Sequence, residues 1–203
     1  MAGMTMPRDL QAETSDEDLL ALYALGDPAA ARALTQRLVP RVLGYAARLL
    51  GGDRAEAEDV AQEAMLRLWR AAPGWRPGEA QVSTWLYRVV TNLVTDRHRA
   101  RRRRGGGALG LDEAPEVADA APGAVAQLIE GDRLDALGRA LAALPDRQRE
   151  AVVLRHLEGL SNPEIAQVMG IGVEAVESLT ARGKRALAAS LQGQREELGY
   201  EGR

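Results

Sequence analysis

Arg97, Arg99 and Arg101 to Arg104 put six guanidinium groups into eight consecutive positions. Such a block holds anions rather than making or breaking bonds. Every phosphate it neutralises adds to a salt-dependent affinity. A second set of polar groups follows at 177–185, where Glu177, Ser178, Arg182, Lys184 and Arg185 recur at helical spacing. Carboxylate, hydroxyl and guanidinium groups on one helix face are the types that read base edges and grip phosphates. Groups for covalent chemistry are scarce. His98 and His156 are the only histidines, there is no cysteine, and no glycine-rich phosphate loop, nucleophile motif or metal-ligand cluster occurs. The expectation is a binding protein, not an enzyme, with no cofactor and no metal.

The elements that must position these groups are helical. Ser161 and Glu164 form an S-x-x-E capping box, with Pro163 in the first turn, where a missing N–H costs nothing. Ile165, Ala166, Val168 and Met169 face a core, and Gly170 supplies a left-handed stop. A second helix from about Val173 buries Val176, Leu179, Thr180, Gly183 and Leu187 and turns the polar set outward. This is a helix-turn-helix that fits a DNA major groove, although a helical hairpin with a solvated face gives the same pattern. Upstream, Ser15, Asp27 and Asp53 each suit an N-cap, Pro28 an N1 position, and Pro40 a kink in a helix reaching about Leu50. The helix at about 54–71 turns Val60, Ala64, Met65 and Leu68 inward. After the Pro- and Gly-rich loop 73–81, Ser83 or Thr84 caps a fourth helix. Its buried stripe is Trp85, Leu86, Val89, Val90, Leu93 and Val94, and its C-terminal end carries the arginine block. A helix dipole accounts for some of those cations. Six of them repel one another, so an anion is expected, and a phosphate backbone supplies one.

Bulk composition sets the class. A chain of 203 residues with 46% hydrophobic content, rich in Ala, Leu and Arg, leans to helical cores built without phenylalanine. The lack of cysteine suits a reducing compartment, and no apolar run spans a bilayer or resembles a signal peptide. Cytoplasmic location without membrane insertion follows as an expectation. The net charge of −3 hides a sorted distribution, because Asp112, Glu113, Glu116 and Asp119 follow the arginines with no basic residue before Arg133. The fold class expected is all-α: two small helical domains on a flexible linker, the second a helix-turn-helix of winged-helix-like or four-helix type. Their extents are 15–104 and 126–192, with a disordered start at 1–14, an acidic tether at 105–125 and a polar tail at 193–203.

Three segments in this order resemble a known family: AEDVAQEAMLRLWRA at 57–71, STWLYRVVTNLVTDRHRARRR at 83–103, and LPDRQREAVVLRHLEGLSNPEIAQVMGIGVEAV at 144–176. The layout is similar to the extracytoplasmic-function group of bacterial RNA polymerase sigma factors. The resemblance covers about 15–104 and 126–191. It implies that 57–71 docks on core RNA polymerase, through Asp59, Gln62, Glu63, Leu66 and Trp69. It implies that the loop 75–82 captures a flipped minus-ten base, with Trp75, Arg76 and Gln81 as contacts. Arg88, Asn92, Arg97 and Arg99 would border the melted strand, with Asp96 beside them or paired to an arginine. Trp69 and Leu66 also suit plain core packing, and Trp85 suits core better than DNA. Glu177, Ser178, Arg182, Lys184 and Arg185 would face the minus-thirty-five element. Relatives usually place basic residues where this chain has Glu177 and Leu179; a carboxylate there can accept from a cytosine amino group. An anti-sigma partner is implied as well, and the acidic tether would lie near the template strand. The rival reading is a stand-alone helix-turn-helix regulator with a helical N-terminal domain, binding duplex DNA unaided as a dimer.

Overall fold

Side-chain caps set the first three helices. Ser15 accepts from the Asp18 amide at the start of α1 (Asp16–Ala24), and Asp27 from Ala29 at the start of α2 (Pro28–Leu49). Asp53 accepts from Glu56 N at 3.0 Å at the start of α3 (Arg54–Ala71). The computed structural model describes residues 14–78, 80–103 and 134–192. The expected start, linker and tail at 1–14, 105–125 and 193–203 lie almost wholly outside those residues, as do the first residues of the expected second domain at 126–133, Arg104 and the acids at 112–119. α2 runs on through Pro40. One backbone bond is lost there, but Leu34, Leu38, Val42 and Tyr45 are buried on either side and hold the helix in register.

α4 (Val82–Arg103) begins earlier than the sequence suggests. Ser83 and Thr84 lie inside its first turn, which closes with Trp85 N donating to Gln81 O at 3.0 Å. The reason is burial: Val82 and Thr84 both face the core, so the helix starts where the apolar side starts. Leu86, Val90, Leu93 and Val94 are buried as expected, and Trp85 and Val89 pack half-buried at the edge. Tyr87 and Thr91 are buried too, beyond the expected stripe.

The second body holds α5 (134–142), α6 (Asp146–His156), α7 (Asn162–Met169) and α8 (Val173–Gln192). Among the described residues it contains no strand, so of the two forms expected it takes the four-helix one. Ser161 and Glu164 form the capping box, and hydrogen bonds from Ser161 hold the Glu164 carboxyl below its usual range. Gly170 ends α7 at φ 64°. Gly183 permits the close seat of α8 on α6, since a Cβ there would lie 2.6 Å from Val152 Cγ2. Val176 and Gly183 are fully buried on α8; Leu179, Thr180 and Leu187 are half-buried.

The two bodies touch. α4 packs against α7 and α2 against α6, and one buried cluster runs from Leu19 to Val176. That contact covers Tyr87 and Thr91, which the helical period of α4 alone leaves unexplained.

Candidate nucleic-acid interface

On α8, Ser178, Arg182, Lys184 and Arg185 are all exposed, and so is Glu177. Arg182 Nε donates to Ser178 O at 3.2 Å and Arg185 Nε to Ala181 O at 3.3 Å, which lays both guanidinium groups along the helix. The whole polar face is presented to solvent, as a groove-reading helix requires.

On α4 the arginines divide. Arg88 and Asn92 are exposed, and Arg88 and Arg103 have no ion-pair partner among the described residues. The others find carboxylates inside the protein. Arg97 Nε lies 3.5 Å from Glu56, and Arg101 binds both Glu56 and Asp53 at the start of α3. Arg102 meets Asp146 at 2.9 Å, and Arg99 reaches Asp96 at 3.8 Å on exposed helix. The repulsion within the block is therefore relieved largely by the chain's own acids, and the expectation that phosphate must do so is corrected. Helix-initial carboxylates some forty residues away in sequence neutralise the block once α3 and α6 lie beside it. Arg97 is half-buried in this arrangement, while Arg99 stays exposed.

In the loop before α4, Arg76 and Gln81 are exposed. Trp75 packs edge-on to Trp85 with ring centroids 5.7 Å apart, and its indole nitrogen is buried without an acceptor among the described residues. Both rings are thus part of the wall beneath the loop, and Trp85 is a packing residue.

A third surface lies on α3. Val39, Leu43, Ala61, Met65, Leu66 and Trp69 line an apolar groove of about 330 Å³ between α2 and α3, with Glu58 and Gln62 at its edge. Leu66 is 42% exposed, and it belongs to this contiguous apolar lining instead of standing alone on the surface. Trp69 is half-buried against Tyr23, centroids 4.5 Å apart. Asp59 and Gln62 are exposed nearby, and Arg67 hydrogen-bonds the Glu63 carboxyl, holding it below its ordinary value. The sequence left Leu66 and Trp69 balanced between core and docking; the geometry exposes the first and divides the second.

The seam between the bodies holds residues that sequence reasoning missed. Arg149 is buried and donates to Leu141, Ala142 and Leu144 carbonyls at the end of α5 and to Leu49 O at the end of α2. It thereby closes two helix C-termini, one from each body. Tyr87 OH donates to Glu158 at 2.5 Å, and Arg48 reaches the same carboxylate at 3.3 Å. Burial, then the Glu158 carboxylate, hold the Tyr87 phenol well above its ordinary range. Glu150 is buried with one oxygen unpartnered, and burial raises its carboxyl above the usual value. A run such as PDRQRE reads as solvated surface, so no periodic signal marked these groups.

Comparison with known proteins agrees with this layout. Sigma-70 region 2 matches residues 34–104, and Sigma-70, region 4 matches residues 134–187. The ECF RNA polymerase sigma factor SigM of Mycobacterium tuberculosis is 35% identical over 179 residues, covering 88% of this chain and 86% of SigM. The chain belongs to the sigma-70 family, in its ECF group. Another relative of this sigma factor, CnrH of Cupriavidus metallidurans, is 34% identical over 192 residues, covering 91% and 98% of the two chains. The structure of CnrH in complex with the cytosolic domain of CnrY matches with a TM-score of 0.63 at 28% identity, covering 89% and 99%. The sigma factor RpoE of Bartonella quintana, solved with the anti-sigma factor NepR, shares the fold at a TM-score of 0.63 and 22% identity, covering 78% and 94%. The region 2 match falls within the body of α1–α4, from Leu34 in α2 onward, and the region 4 match within that of α5–α8. Sigma factors direct RNA polymerase to promoters and are not themselves enzymes. No helix among the described residues is long and apolar enough to cross a membrane.

Proposed function

We propose that this sigma factor docks on core RNA polymerase through the α2–α3 groove, borders the melted minus-ten strand with α4 and the loop before it, and reads the minus-thirty-five element with α8. The observation that carries the reading is the fully exposed polar face of α8, with Ser178, Arg182, Lys184 and Arg185 seated on a buried Val176–Gly183 side. On α4, Arg88 and Asn92 support strand contact most directly, because they are exposed and tied to no carboxylate. Arg97 contributes through Glu56, placing α4 on α3, and Arg99 stays at the exposed edge. Trp75, Arg76 and Gln81 frame the base pocket, with Trp75 as its floor. Leu66 and Trp69 supply the apolar contact on core polymerase, and Asp59, Gln62 and Glu63 its polar rim.

The two promoter elements lie about 25 base pairs apart by their names, roughly 80 Å of duplex. A compact chain of this length is about 40 Å across. Regions 2 and 4 therefore part along the seam to engage both, and the stretch 104–133 has a contour of roughly 100 Å to allow it. Such work takes place beside the polymerase in the cytoplasm. RpoE is solved with the anti-sigma factor NepR and CnrH with the cytosolic domain of CnrY, and an anti-sigma partner covering the open α2–α3 groove is part of this proposal.

Reconstitution with core polymerase on genomic DNA, followed by mapping of transcript 5′ ends, tests it. The expected result is a set of starts sharing two upstream elements, absent without the sigma factor. Tight, sequence-specific duplex binding by the chain alone, with no core-dependent transcript, would favour the stand-alone regulator instead.

A further inference from the structure

α8 carries two carboxylates ahead of its cations. Glu174 lies in the first turn, where the positive end of the helix dipole accounts for it. Glu177 is the fifth residue of the helix, exposed, and no cation among the described residues pairs with it. Both nearby guanidinium groups are turned back to their own helix, on Ser178 O and Ala181 O. One polar group does reach Glu177: Asn162 Nδ2 donates to its Oε1 at 3.4 Å. Asn162 is the first residue of α7, and the capping box of Ser161 and Glu164 fixes that end of α7. The neighbouring helix thus orients one oxygen of Glu177 and leaves the other free.

An unpaired carboxylate facing a polyanion opposes binding at every sequence. It becomes favourable only where a base edge offers a hydrogen-bond donor. In the major groove guanine shows two acceptors and thymine one, while adenine sets an acceptor beside its amino group; cytosine shows an amino donor with no adjacent acceptor of its own. The opening turns of a recognition helix are the part that reaches base edges. We infer that Glu177, oriented by Asn162, selects a cytosine within the upstream promoter element. The inference rests on α8 being the duplex reader of the proposed function. Glu177 is then the specificity-determining residue and Asn162 a positioning residue behind it.

The experiment uses the full chain with core polymerase on promoters varied one base at a time across the mapped upstream element. Initiation is compared for wild type, Glu177→Ala, Glu177→Gln and Asn162→Ala. The expected wild-type pattern is a preference for cytosine at one position of about tenfold or more. Glu177→Ala should level the four bases at that position and leave the other positions unchanged. Glu177→Gln should move the preference there towards adenine, and Asn162→Ala should weaken the cytosine preference without creating another. Equal stimulation of every promoter by Glu177→Ala would show a merely repelling charge and overturn the inference, as would an unaltered base profile. If wild type yields no core-dependent transcript, the proposed function falls and this inference with it, a result distinct from either of those.

Discussion

The interior of each body is apolar, and the seam between them adds buried polar groups to the apolar cluster that the two share. Inside the α1–α4 body, Leu20, Leu34, Leu38, Val60 and Leu68 are wholly buried, and inside the α5–α8 body so are Leu154 and Ile165. The seam instead spends polar groups: Arg149 on four carbonyls, Tyr87 on Glu158, Arg102 on Asp146, and Glu150 with one oxygen unpartnered. Apolar interiors lose transfer energy and packing when opened, with nothing in water to replace either. Polar groups at a seam exchange their partners for water at a small net loss. Under the proposed function, the polar share of the seam is the part that water can replace when the bodies part, whereas the apolar interiors stay closed.

The contrast can be broken by substitution, and the largest effect belongs to the interior. Leu154→Ala should cost about 3 kcal/mol in urea unfolding, since it empties a fully buried site. Arg149→Ala should follow at about 2 kcal/mol, because four carbonyls lose a charged donor while some regain water. It should also raise the radius of gyration by small-angle scattering, which Leu154→Ala should not; equal radii would mean that the guanidinium does not join the bodies. Tyr87→Phe should cost about 1.5 kcal/mol, one hydrogen bond to the Glu158 carboxylate with the ring retained.

Glu150→Gln sharpens the comparison through pH. Burial raises the Glu150 carboxyl in the folded protein, so the folded state holds its proton more tightly than the unfolded state. Its contribution is complete below the ordinary carboxyl range and is lost as pH rises through the raised value. Urea midpoints from pH 4 to 8 should therefore show the wild type losing ground to Glu150→Gln as pH rises; parallel curves would place Glu150 in water. The smallest effect is expected of Arg48→Ala. Its side chain is 41% exposed and 3.3 Å from Glu158, whose hydrogen bond from Tyr87 remains, so the loss should stay under about 1 kcal/mol.

Much of each body was legible in the residues themselves. The caps at Ser15, Asp27, Asp53 and Ser161, the stop at Gly170 and the outward face of α8 all follow from local rules. Those signals lie within one turn of the residues they govern, so no distant contact was needed to read them. The start of α4 was misplaced because Ser83 and Thr84 look like caps, and only the burial of Val82 and Thr84 shows that the helix has already begun.

What the chain order determined is the identity and sequence of helices, their apolar sides and the polar face of α8, because helical period and capping are short-range physics. The tertiary structure alone decided what the charges do. It set Glu56, Asp53 and Asp146 against the arginines of α4, and it buried Arg149 and Glu150 out of a run that reads as surface. It also put Asn162 beside Glu177, from a different helix. Electrostatic partners act through space across fifteen to a hundred residues of chain, and no local pattern encodes which of them will meet.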